Sequence, residues 1–174
     1  MNHKNNILML LAANKFDETE FLTVKKFIDK SHFNLFITSD ANSLCTGNSG
    51  LKIKADVSFF NIHTGNFISL IIIGGQGIRN YWNNQLLHKI INNFHKEQKL
   101  IAAICSAPVL LARSGVLTGK KATCFPTDKN ELEKENVIYV NQPVVTDNNL
   151  ITAQGPNAAP QFIETVLNRL KQNI

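Results

Sequence analysis

The chain has 174 residues, enough for one domain with a substantial core. Apolar residues make up 44% and charged residues 18%, an ordinary globular balance that excludes a disordered or low-complexity chain. The net charge of +5 comes from basic residues scattered no more densely than the pairs Lys25-Lys26 and Lys120-Lys121, so no nucleic-acid-binding stripe is expected.

Lys4 ahead of Ile7–Ala13 has the outline of a short signal peptide. The apolar stretch is minimal and runs straight into Asn14-Lys15, so it is read as a core strand, Ile7 to Ala12, covered on both faces. No window approaches the ~20 apolar residues that span a bilayer. Residues from about Glu18 to Lys30 read as a helix, with Phe21, Val24, Phe27 and Ile28 on one side. Phe33–Thr38 reads as a second strand and Ser69–Ile73 as a third, stopped by Gly74-Gly75. Leu86, Leu87, Ile90, Ile91 and Phe94 recur at helical spacing in a segment ending near Gln98. Leu100–Ile104 is a further strand. It ends at Cys105, with Pro108 in the first turn of the next helix and Gly115 at its stop. Short strands at Val137–Val140, Val144–Thr146 and Leu150–Ala153 should add a hairpin or an edge, and Phe162, Ile163, Val166, Leu167 and Leu170 line a last helix. This alternation predicts an α/β fold with a mostly parallel sheet and helices on both faces, in a single domain over 1–174. Sites in such sheets form beyond the carboxyl ends of strands. Four loops qualify: Ala13–Glu20, Gly74–Gly77, Cys105–Ser106 and Ala153–Asn157.

Cys105 stands between an apolar strand and a helix start, where unpaired backbone N–H groups and the helix dipole favour a thiolate. Ser106 and Ala107 are small enough for a nucleophile elbow. Cys45, Cys105 and Cys124 are an odd set without C-x-x-C spacing, which argues against a disulfide framework or a zinc site and for a reducing, cytoplasmic setting. Cys45 is placed in a loop, partly exposed, and Cys124 is taken as a packed thiol. His3, His32, His63, His88 and His95 are read as outside any site, the last two on the surface of the helix before Cys105.

The block Ala102-Ala103-Ile104-Cys105-Ser106-Ala107-Pro108 resembles the ThiJ/PfpI superfamily, with the run Gly115–Thr123. So do Phe16–Glu20, Gly74-Gly75, Pro143–Asp147 and Leu150–Pro156, in the same order over nearly the whole chain. The resemblance implies a flavodoxin-like three-layer sandwich, a homodimer, and a cysteine in a strained elbow. It places Glu20 beside that thiol as a protonated carboxyl, although Asp17 and Glu18 are as eligible by spacing alone. Gly75 and Ser106 would offer backbone N–H groups to a developing oxyanion. Gly74, Gly155 and Pro156 would line the pocket.

Protease-like members carry a histidine where Ser106 stands, and deglycase-like members one where Phe125 stands. A PfpI-type cysteine protease is therefore disfavoured. Class I amidotransferases need a histidine and a glutamate near the last loop, and Ala153–Pro160 has neither. No G-x-x-x-x-G-K phosphate loop supports a thiamine-related role. The expectation is a glyoxalase- or deglycase-like enzyme for small aldehydes such as methylglyoxal, without metal or cofactor. Its partners would be the substrate and a second copy of itself, not nucleic acid or membrane. A redox sensor or oxidative-stress chaperone working through Cys105 oxidation is the alternative.

Overall fold

In the computed structural model, residues 5–40 and 44–172 are described. His3 and Lys4, which entered the sequence reading, lie outside them.

The centre is a seven-stranded sheet of β1 (Asn6–Leu10), β3 (Asn34–Ser39), β6 (Val57–Ser58), β7 (Ser69–Ile72), β8 (Leu100–Ile104), β11 (Val144–Asp147) and β12 (Leu150–Ala153), in the order β11-β12-β8-β7-β1-β3-β6. Only β11 runs antiparallel, as the edge partner of β12 in a hairpin. Every residue of β7, β8 and β12 is buried, as uninterrupted apolar runs require when helices cover both faces.

The period of two along β1 sorts its side chains between two cores. Ile7, Met9 and Leu11 pack with Phe21, Val24 and Ile28 of α1 (Glu18–Asp29) and with Phe162, Ile163 and Val166 of α5 (Ala159–Gln172). Leu8 and Leu10 face the other way, towards Leu87, Ile91 and Phe94 of α2 (Gln85–Lys96) and Val109 and Leu110 of α3 (Pro108–Arg113). The result is the covered, mostly parallel sheet that the alternation predicts, in the flavodoxin-like three-layer α/β sandwich that the resemblance implies.

Smaller elements depart from expectation. Cys45 is not in an exposed loop: it lies in β4 (Leu44–Gly47), fully buried, within a three-stranded sheet with β2 (Asn14–Phe16) and β5 (Lys52–Lys54). The segment Val137–Val140 contributes β10 (Ile138–Tyr139), which pairs with β9 (Lys121–Ala122) instead of joining the central sheet. A short helix, α4 (Lys129–Lys134), burying Leu132 alone, had no apolar periodicity to announce it.

Candidate active site

The four loops do meet at one end of the sheet. Asp17, Gly75 with Gln76, Cys105 with Ser106, and Pro156 come one loop each to a cleft of about 580 Å³. Cys105 has φ +64, a left-handed conformation unusual for a residue with a side chain. The backbone around it is tied down on all sides. Cys105 N–H donates to Ala153 O (2.9 Å), and Cys105 O accepts from Phe125 N–H (2.8 Å). The Trp82 indole N–H donates to Ser106 O (2.9 Å). Such over-determination is what allows a strained elbow to persist.

The three acidic residues that spacing could not separate have three different tasks. Asp17 caps α1, its Oδ1 accepting from Glu20 N–H (2.9 Å). Glu18 Oε1 accepts from Ser49 N–H (2.6 Å) and Leu51 N–H (3.0 Å), holding the turn that carries Asn48 into the cleft. Glu20 alone turns inward, with no exposure, and its Oε2 accepts from Gly74 N–H (2.9 Å). Its Oε1 is buried with no partner by strict geometry, yet the Cys105 side chain is close enough to act on the carboxyl's proton affinity.

Gly74 makes that closeness possible. A Cβ there would lie 2.5 Å from Cys105 Cβ and 2.9 Å from Glu20 Oε2. Gly75 has φ +107, and its N–H is directed at the Cys105 sulfur.

The electrostatics reverse one expectation. Burial pushes the Glu20 carboxyl up to about 8, helped by the charge of Asp17 and opposed by the Gly74 N–H and Cys105. Burial also pushes the Cys105 thiol up to about 12, with the Glu20 charge next; the Gly75 N–H and Ser106 hydroxyl pull the other way. The helix dipole therefore does not leave a free thiolate at rest. The helix after the elbow has only six residues and begins three positions on, at Pro108. Near neutrality the pair holds both protons, and the two sites titrate as one coupled pair.

Pro156 lines the cleft, whereas Gly74 lies against Cys105 and Glu20 outside its lining, and Gly155 borders a neighbouring groove with Pro143 and Gln161. Phe125, partly exposed, forms a wall of the cleft. Cys124 is fully buried and absent from the cleft lining. No histidine lines the cleft among the described residues: His32 and His63 are exposed, and the half-buried His88 bonds Trp82 O through Nε2 (2.8 Å). The sequence reading missed Asn48 and Arg79. Arg79 follows Gly77 in a helical turn and pairs with the buried Asp128 (2.7 Å). Among the described residues there is no cluster of three or more potential metal ligands, and no helix is long and apolar enough to cross a membrane.

A sheet of this order with a cysteine elbow and a buried glutamate defines a class, and the chain belongs to the DJ-1/PfpI family, whose model matches residues 5–169. An uncharacterized protein of Methanocaldococcus jannaschii is 34% identical, over 99% of this chain and 86% of its own. A deglycase of Pyrococcus horikoshii is 28% identical over 86% of this chain and 90% of its own. Among solved structures, a ThiJ/PfpI domain protein from Brachyspira murdochii superposes with a TM-score of 0.94 over 97% of both chains at 24% identity, a likeness of fold.

Proposed function

We propose that this protein is a cysteine-dependent, cofactor-independent enzyme for small reactive aldehydes such as methylglyoxal, of glyoxalase or deglycase type. The observation that carries the reading is the buried Glu20 carboxyl, poised to titrate at about 8, beside a cysteine that reaches a cleft from a strained turn.

Loss of one proton from the pair leaves the other to move between Glu20 and Sγ. With the proton on Glu20, Sγ attacks the aldehyde carbon; the carbonyl electron pair passes to oxygen, which takes that proton as the C–S bond forms. The Gly75 and Ser106 N–H groups stabilise the oxyanion during this step. Glu20, now a carboxylate, removes the proton from the thiohemiacetal carbon and returns it to the neighbouring carbon, while the hydroxyl proton passes to the former ketone oxygen, which gives a thioester. Water then cleaves the C–S bond, lactate leaves and the thiol is restored. Overall, methylglyoxal plus water becomes a hydroxy acid with no external oxidant. The deglycase name of the Pyrococcus relative supports this chemistry. On the same reading the protein acts in the cytoplasm, as a single-domain homodimer, without a metal or organic cofactor.

D-lactate formation from methylglyoxal tests the proposal. Cys105→Ala should fall to background, and Glu20→Gln should lose roughly 10²–10⁴-fold, the usual contribution of a positioned acid–base group. Equal activity in all three proteins would end it. A redox sensor is the second reading, favoured by one observation: Cys105 reaches the cleft while Cys45 and Cys124 have no exposure. That reading predicts no D-lactate from wild type, and two oxygens gained on Cys105 alone after mild peroxide. Ser106, standing where the resemblance puts the histidine of protease-like members, disfavours a Cys–His protease mechanism.

A further inference from the structure

The cleft holds one cation among the described residues lining it, Arg79, and nothing in the aldehyde chemistry above uses it. Its side chain is 41% exposed, and Asp128, 2% exposed, anchors it through Nη2, 2.7 Å from Oδ1 and 3.0 Å from Oδ2. Among the described residues that nitrogen alone makes hydrogen bonds, so the N–H groups on Nε and Nη1 remain for a ligand. The guanidinium also lies over the Trp82 ring, 5.3 Å from its centroid. Trp82 in turn donates its indole N–H to Ser106 O, so one side chain fixes both the cation and the elbow. An arginine held on one edge and against an aromatic face is preorganised, and its free edge matches the two oxygens of a carboxylate.

We infer that Arg79 makes the site selective for small carbonyl compounds that carry a carboxylate. The inference rests on Cys105 being the nucleophile and names the substrate class it serves. Asp17, on the rim of the same cleft, opposes negative charge, and it penalises a phosphate dianion more than a monoanionic carboxylate. Selection is therefore for a singly charged group reaching Arg79 while its carbonyl carbon meets Sγ.

Alkylation of Cys105 by iodoacetate and by iodoacetamide tests this without turnover. Both reagents form the same C–S bond and expel iodide, and they differ in one carboxylate. The iodoacetate-to-iodoacetamide rate ratio at Cys105 should exceed that of free cysteine at the same pH. It should drop about tenfold in Arg79→Met/Asp128→Asn, the double change avoiding a buried unpaired carboxylate, as expected for loss of one charge-assisted pair. In Asp128→Asn alone the ratio should hold or rise, because Arg79 is freed. A wild-type ratio at or below that of free cysteine, an unchanged ratio in the double variant, or a fall in Asp128→Asn overturns the inference while leaving Cys105 reactive. Failure of both reagents to modify wild-type Cys105 overturns the nucleophile reading, and this inference with it.

Discussion

Glu20 is a carboxyl that the fold keeps away from water, and that sets its acid–base behaviour. Its folded value of about 8 lies above the ordinary 4.5 because burial, chiefly, and the charge of Asp17 penalise the carboxylate. The sign for stability follows. Between the two values the folded chain holds a proton that the unfolded chain has released. The stability present below the ordinary value is therefore lost as pH rises towards the folded one. Glu20→Gln removes this dependence. Chemical denaturation should find the wild type losing stability relative to Glu20→Gln as pH climbs from 4.5 through about 8, with little further change beyond. A pH-independent difference between the two would contradict it. Asp17 and Glu18, busy with the helix cap and the Asn48 turn, owe none of their roles to the thiol.

Among elements, the loop after β7 decides whether the pair exists at all. Gly74 occupies the space where a Cβ would strike Cys105 Cβ, Ile104 O and Glu20 Oε2 at 2.5, 2.7 and 2.9 Å. Gly74→Ala should destabilise the protein by about 1–3 kcal/mol, as overpacking does, and cut turnover by separating thiol from carboxyl. Gly65→Ala is the matching control, since no atom stands within 4 Å of its added Cβ. Denaturant unfolding that places both variants together would refute this role. The long apolar strands and amphipathic helices were legible because burial on two faces writes a continuous run, and burial on one side writes a period of 3.6. Leu100–Ile104 and Leu150–Ala153 were placed to the residue. Cys45 was not: Leu44–Gly47 is four residues whose strand conformation comes from pairing with β2 and β5, a contact no local pattern encodes. Arg79 and Asn48 were invisible for the same reason, being brought in by a helical turn and a distant hairpin.

At the scale of the whole molecule, the candidate site is a product of sheet order. β7 and β8 are neighbours, β1 adjoins β7, and β12 adjoins β8, so loops drawn from across the chain converge at one end. Position along the chain and family resemblance pointed to Cys105 and Glu20, and the resemblance implied a protonated Glu20, but the state of the thiol was misread. The helix dipole suggested a lowered thiol, whereas enclosure by the assembled fold raises it. The account therefore stands on a shared proton, and the rate of Cys105 alkylation by iodoacetamide against pH tests it most directly. Wild type should show a step near 8, when the pair gives up its first proton, and Glu20→Gln, without the charge that holds the thiol up, should lack that step and titrate once, below the wild-type thiol value of about 12. A single step at the same pH in both proteins would contradict it.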